Sequence, residues 1–226
     1  MNEELEYLKK EEYLSKFERF REILTEYNTK CNLTSIIDKK EVYIKHFADS
    51  IIPSELFPVN SVVIEIGSGG GFPSIPLKIV RPDLKFTLVE STGKKCTYLE
   101  ETVNKLGLES VKVLNIRAEE GGRMPDLREK FDVAEARAVA ALNTLCEYCM
   151  PFVKVGGLFI AYKGAADEEI KESKNAIEVL GGAIEKVYSY ELPENSGKRN
   201  IIVIKKIKKT PAQYPRGRGL ERKRPL

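Results

Sequence analysis

The sequence predicts a doubly wound α/β fold: a mostly parallel seven-stranded sheet with helices on both faces, a helical extension before it and a basic tail after it. Three observations predict this. Short apolar runs alternate with amphipathic stretches, strand then helix, over residues 58–207, and such alternation builds βαβ units. A glycine-rich turn, Gly67-Ser-Gly-Gly-Gly71, stands between the first run and the next helix, where a tight turn and close ligand approach call for glycine. The chain has 226 residues, 42% of them hydrophobic, enough for one large core. The chain divides into an extension (1–57), a ligand-binding domain (58–207) and a tail (208–226).

Each element has its own signal. Tyr13, Phe17, Phe20, Leu24 and Tyr27 step by four, three, four and three, one face of a helix over residues 3–27 that polar Asn28 to Asn32 breaks. Asp38 followed by Glu41 resembles a capping box, opening a helix through Ile51 that Pro53 stops. Residues 61–66 form a short buried strand, and 72–80 a helix with Pro76 near its first turn and Pro82 beyond its end. The second strand spans 85–90; Tyr98, Thr102, Val103 and Leu106 mark the next helix, closed by Gly107. Strands three and four cover 111–116 and 131–136. A helix over 142–149 ends at Pro151, strand five covers 157–162, and a helix over 166–180 closes at Gly181-Gly182. Residues 188–192 and 200–207 pair as a last hairpin-like unit across Pro193 to Gly197.

Charge is unevenly placed. Residues 205–226 hold nine Lys or Arg against Glu221, a charge of +8, so with a net of +3 the remaining 204 residues carry −5. Such a tail either lies on a polyanion, nucleic acid first, or stays a solvated end. Pro211, Pro215, Gly217, Gly219 and Pro225 predict an extended path. Four cysteines, of which only Cys146 and Cys149 are spaced C-x-x-C, and a single His exclude a disulfide scaffold and a His-rich metalloenzyme. No metal is expected. No apolar run is long enough to span a membrane, and the N-terminus is acidic, unlike a secretory signal. A cytoplasmic monomer is expected, since no heptad pattern calls for a partner.

The chemistry concentrates after the strands. Glu65-x-Gly67-x-Gly69-x-Gly71 follows strand one, and Glu90 ends strand two. A carboxylate there accepts both hydroxyls of a ribose, which points to an adenosine-containing cofactor. A dinucleotide site wants a third glycine where Phe72 stands. Glu65 repels a pyrophosphate and attracts a cationic sulfonium or amino group, so S-adenosylmethionine is favoured over NAD. A NAD-linked oxidoreductase remains the rival enzyme class, and an RNA-binding module with a vestigial pocket the rival without catalysis.

These residues resemble the class I S-adenosylmethionine methyltransferases, Rossmann-like in fold, and more narrowly the bacterial small-subunit ribosomal RNA guanine-N7 methyltransferase family. The matching segments are Tyr27-Asn28 with Asn32-Leu-Thr-Ser35, His46-Phe-x-Asp-Ser50, Gly67 to Pro76, Arg81-Pro82, Glu90-Ser91, Lys94-Lys95, Arg117-Ala-Glu119, Ala136-Arg-Ala138, Lys163-Gly164, Arg199-Asn200 and Thr210-Pro-x-x-Tyr-Pro215. The chain departs at Glu90, where many members carry Asp. The resemblance implies methyl transfer from S-adenosylmethionine to guanine N7 of 16S ribosomal RNA, free or in the small subunit. It places the family's cofactor positions on Gly67, Phe72, Ala118, Glu119 and Arg137, which join Gly69, Gly71 and Glu90. A methyltransferase of another RNA or small molecule is the alternative within the fold.

In physical terms, Glu119 is placed to read an adenine amino group, or is a helix-start charge. Arg137 contacts guanine O6, a phosphate or the cofactor carboxylate, or is a surface ion pair. His46, the only histidine, holds a phosphate or the flipped base, or packs as a cap. Lys163 and Arg199 are candidate RNA contacts. No catalytic base is assigned. The position after strand four reads Glu135-Ala-Arg-Ala138 rather than an N-P-P-Y motif, no cysteine follows a proline, and guanine N7 needs no base because its lone pair is free at neutral pH. Cys146 and Cys149 read as core.

Overall fold

The computed structural model describes residues 10–164 and 166–226. The first expected helix turns, residues 3–9, lie outside the described residues.

Helix α1 (Glu11–Cys31) buries Phe17, Phe20, Ile23 and Leu24, the stripe expected of it. It runs on through the polar stretch where a break was expected and stops only at that stretch's last residue, Asn32, whose φ of 45° is left-handed. Asn28 then accepts the N–H groups of Leu33 (2.7 Å) and Thr34 (2.9 Å), which pins the following turn. The Asp38 carboxylate caps α2 (Lys39–Val42) by accepting Glu41 N–H at 2.9 Å. The helix then widens into a π segment, Tyr43–Ala48, tightens again at α3 (Asp49–Ile51) and ends as a 3-10 turn over Ile52–Leu56. π segments re-aim side chains and cluster at functional sites; this one carries His46.

Strands β1 (Val62–Ile66), β2 (Lys85–Glu90), β3 (Val111–Asn115), β4 (Phe131–Arg137), β5 (Val153–Lys163), β6 (Gly182–Glu191) and β7 (Lys198–Lys206) form one sheet in the order β3-β2-β1-β4-β5-β7-β6. All pairs are parallel except β5–β7 and β6–β7. Between them lie α4 (Ser74–Val80), α5 (Gly93–Lys105), α6 (Ala118–Gly121), α7 (Leu142–Cys149), α8 (Asp167–Glu172) and α9 (Lys174–Val179). The single helix expected over 166–180 is two, parted at Ser173, whose hydroxyl donates to Glu169 O at 2.6 Å. The strand alternation sorts the core. Val63, Leu88, Val133 and Ile160 pack with α1, α4 and α5. Ile64, Val89, Ala134 and Phe159 pack with α7 and α9 on the other face. Strand order reverses between β1 and β4, so a ligand cleft belongs above their carboxyl ends.

The tail corrects an expectation. It is largely non-helical, as its prolines predict, but it is folded onto the domain rather than left in solvent. Arg128 donates to the carbonyls of Thr210 (2.9 Å), Pro211 (3.2 Å) and Tyr214 (2.8 Å). Arg216 grips the fully buried Glu147 through Nε (2.9 Å) and Nη2 (2.7 Å). A short helix, α10 (Leu220–Lys223), buries Glu221, which accepts Gly217 N–H. Lys206, counted among the tail cations, is interior: its ammonium donates to Met150 O and Thr210 Oγ1, each 2.6 Å away. Both of these basic groups thus serve internal partners.

Candidate cofactor site

A cleft of about 710 Å³ opens at the carboxyl ends of β1, β2 and β4. Its floor is the glycine loop. Gly67 and Ser68 donate N–H bonds to Val89 O (2.8 and 3.1 Å), which ties the loop to β2. At Gly67 φ is +74°, and a Cβ there would lie 2.7 Å from Val139 Cγ2; glycine is required on both counts. Glu90 ends β2, is buried, and accepts Gly69 N–H at 3.1 Å and Thr92 N–H at 2.8 Å. Its carboxylate is thereby fixed at the cleft wall with lone pairs left over for a ligand.

Gly67, Gly69, Phe72, Glu90, Ala118, Glu119, Arg137 and His46 all line this cleft, brought together from four strand ends and the N-terminal helices. Gly71 does not. It turns the chain behind the loop at φ +84°, where a Cβ would meet Ile75 Cδ1 at 2.4 Å. Lys163 and Arg199 also stand outside it. Lys163 donates to Ala140 O (2.7 Å) and pairs with Glu169 (2.6 Å); Arg199 faces Asp49 at 3.5 Å. Sequence reasoning missed Tyr148, Gly219 and Arg222 in the lining. The last two arrive with the docked tail and carry no local signal. Thr34 and Lys95, also in the lining, sat within matching segments that had no assigned role.

Electrostatics centre on Arg137. Its Nη1 donates to Asp49 Oδ2 at 3.0 Å and Lys45 O at 3.3 Å; its Nη2 lies 3.1 Å from His46 Nδ1. The guanidinium sits 5.0 Å over the Phe72 ring, which stacks on the His46 ring at 4.4 Å. Arginine only donates, so His46 Nδ1 accepts and Nε2–H donates to Thr34 Oγ1 at 2.8 Å. Burial first, and the Arg137 charge second, hold His46 down to about 3 from an ordinary 6.5. It is neutral at physiological pH with both nitrogens engaged.

Glu65 is not where the sequence reading put it. It lies wholly buried beneath the loop beside Glu135 and does not line the cleft, so it makes no direct contact with the cleft space. Burial pushes Glu65 up to about 7; burial and the neighbouring Glu65 push Glu135 well above the usual carboxyl range. Cys146 and Cys149 are core side chains of α7, their thiols pushed up by burial. No helix among the described residues is long and apolar enough to cross a membrane.

The fold and cleft can be set beside known proteins. Among solved structures, an O-methyltransferase from Thermotoga maritima described as SAM-dependent superposes with a TM-score of 0.57 at 17% identity, covering 82% of this chain and 72% of that one. TYW2 of M. jannaschii, solved in complex with AdoMet, gives 0.57 at 16% identity over 75% and 77%. These share the fold. Among curated sequences, the ribosomal RNA small subunit methyltransferase G of Acetivibrio thermocellus is 48% identical over 220 residues, 96% of this chain and 90% of the relative. That of Bacillus subtilis is 47% identical over 216 residues, 94% and 90%. The family described as rRNA small subunit methyltransferase G matches residues 13–202. A match over most of the chain, with relatives near half identical over more than nine-tenths of it, places this protein in the rRNA small subunit methyltransferase G family.

Proposed function

We propose that this chain transfers a methyl group from S-adenosylmethionine to N7 of a guanine in 16S ribosomal RNA. The observation that carries the choice of atom is His46: the only histidine lines the cleft neutral and with both ring nitrogens bonded. It is no free base, and guanine N7 needs none, whereas an amino or hydroxyl acceptor has a proton to lose.

The residues fit the cofactor. Glu90, buried at the end of β2 with lone pairs to spare, accepts the ribose hydroxyls. Ala118 and Glu119, at the start of α6, meet the adenine edge. Gly67 and Gly69 let the cofactor approach the backbone, Gly71 holds the turn, and Phe72 covers an apolar edge. When bound, S-adenosylmethionine supplies an electrophilic methyl group on a sulfonium. The chain's part is then alignment and electrostatics. Arg137, with His46 beside it, shapes the acceptor end, where a guanidinium reads guanine O6 or a phosphate. Of the outer two RNA candidates, Arg199 acts through Asp49, which also holds Arg137. Lys163 acts through Glu169 and Ala140 O, fixing the Ala138–Ala140 turn that borders the cleft. The accompanying reading is a cytoplasmic monomer of three parts, 1–57, 58–207 and 208–226. Its partner is free 16S RNA or the small subunit.

The test is mass spectrometry of 16S RNA from cells lacking this gene. One 7-methylguanosine should vanish and return when the gene is restored. An unchanged 7-methylguanosine content, or loss of a different modification, overturns the reading.

A further inference from the structure

Beneath the glycine loop, β1 and β4 set two carboxyl groups against each other. Glu65 and Glu135 are register partners on neighbouring parallel strands, and such strands lie about 4.8 Å apart. Both are 0% exposed. Five buried side-chain oxygens among the described residues have no hydrogen-bond partner, and four of them are here: both Glu65 oxygens, Glu135 Oε2 and Ser68 Oγ. Ser74 Oγ donates to Glu135 Oε1 at 2.6 Å.

The groups acting on the pair are Ser68 in the loop, Ser74 on α4, Glu90 at the end of β2, Arg137 at the end of β4, Cys149 on α7 and Tyr162 on β5. The cation among them, Arg137, is already bonded to Asp49. Two bare carboxylates one strand apart in a dry interior carry a large desolvation and repulsion cost. Two neutral carboxyls have two O–H groups to place, and besides each other only the Ser68 and Ser74 hydroxyls stand by to accept them. One proton between two carboxyls resolves both problems with a short, charge-assisted O–H···O⁻ bond.

We propose that Glu65 and Glu135 share a single proton across the β1–β4 seam, so that the floor beneath the glycine loop carries one negative charge and favours the cationic methyl donor over its uncharged-sulfur product. The second half rests on the cofactor assigned above; the first does not. Of the two protons of the neutral pair, one is released to solvent and one is retained. The charge lies under the loop that the cofactor contacts and acts on it through space. S-adenosylmethionine carries one more positive charge than S-adenosylhomocysteine, and the difference sits on sulfur. This gives Glu135, which touches no ligand, a positioning role: it holds the proton that keeps Glu65 from being either neutral or one of two repelling charges.

The test begins with infrared spectroscopy of the full chain, carboxyl-13C-labelled at glutamate and free of cofactor, at pH 8. The wild type should show one protonated glutamate carboxyl whose C=O band carries the shift of a strong hydrogen bond to a second carboxyl, and Glu65→Gln and Glu135→Gln should each abolish that shift. Absence of that band from the wild type overturns the shared proton, and needs no variant to fold. A band at the same position in the wild type and in both variants overturns it as well. Calorimetry then compares the two nucleosides. The Glu65→Gln/Glu135→Gln double variant should lose about threefold or more of the wild type's preference for S-adenosylmethionine over S-adenosylhomocysteine, the scale of a unit charge acting over several ångströms. An unchanged preference overturns the charge selection. If the wild type binds neither nucleoside, the cofactor assignment and the selectivity fall together, while the infrared result still decides the proton.

Discussion

Arg137 and Asp49 lie 3.0 Å apart, with side chains only 12% and 7% exposed, and so join the end of β4 to the N-terminal helices. The pair is braced from the far side, where Tyr190 Oη donates to Asp49 Oδ1 at 2.7 Å. One ion pair therefore sets both the position of a cleft cation and the seating of the extension. Arg137→Ala should lower stability by about 2–3 kcal/mol, because Asp49 is left buried with one charged partner fewer. Methyl transfer should fall at least tenfold. Arg137→Lys should recover part of the stability and little of the activity, since an ammonium cannot span Asp49, Lys45 O and His46 at once. Thermal denaturation and methylation of 16S RNA check this; full activity in Arg137→Ala removes the residue from the acceptor end.

Glu90→Gln keeps the shape of the side chain and removes its charge. Cofactor affinity should drop by about 1.5–3 kcal/mol, roughly ten- to a hundredfold, if the carboxylate accepts the ribose hydroxyls. Calorimetric titration with S-adenosylhomocysteine measures it directly, and an affinity within twofold of wild type would take the sugar away from Glu90.

At Gly67 the obstacle is a named methyl group. Gly67→Ala forces a Cβ to within 2.7 Å of Val139 Cγ2 at a φ of +74°, so cofactor binding should weaken and stability should fall by about 1–3 kcal/mol. Adding Val139→Ala removes the clash but not the backbone strain, so the double variant should recover part of the loss. Additive losses in the double-mutant cycle would show that the two sites are not coupled.

His46 contributes a defined pH dependence. Its folded value is held near 3, below the ordinary 6.5, so protonation favours the unfolded chain. The contribution is complete above pH 6.5 and is lost as pH falls from there toward 3, by up to about 1.4 kcal/mol per pH unit. The Glu65–Glu135 pair runs the other way: its raised values favour the folded state at low pH and cost stability as pH rises through neutrality. Subtracting denaturation curves of His46→Gln from wild type isolates the histidine. A difference that does not shrink as the pH is lowered below 6.5 contradicts a neutral buried imidazole.

The tail should prove structural. Arg216→Ala leaves the fully buried Glu147 without its charged partner, holding only the backbone N–H of residue 216, at a cost of about 3 kcal/mol, and should release residues near the C-terminus to limited proteolysis. Cofactor binding should weaken too, because Gly219 and Arg222 complete the cleft wall. Protease resistance equal to wild type argues that the tail is held by other contacts.

What could be read in the chain was local. Strand β2 and helix α7 begin and end where their patterns do, because the signal for each lies within or beside its own element: the apolar run of 85–90 for the strand, and Pro151 just after Cys149 for the helix. The glycine loop and Glu90 were legible for the same reason: each is a short motif whose neighbours are fixed by the βαβ unit. The π widening at Tyr43–Ala48 was not, since its apolar spacing is indistinguishable from that of an α-helix over two turns. Nor was the break at Ser173, which has no proline or glycine and depends on a side-chain hydroxyl bonded back to Glu169. The depth of Glu65, the burial of Lys206 against Met150 O, and the arrival of Gly219 and Arg222 in the cleft are settled by tertiary contacts from remote parts of the chain. Residue type alone shows none of these.

The most direct measurement incubates the purified protein with methyl-labelled S-adenosylmethionine and 16S RNA or small subunits, digests the RNA to nucleosides and locates the label. The label should appear in 7-methylguanosine alone, and Glu90→Gln should require more cofactor to reach the same extent. Label in any other nucleoside, or none on free RNA and small subunits alike, contradicts the account.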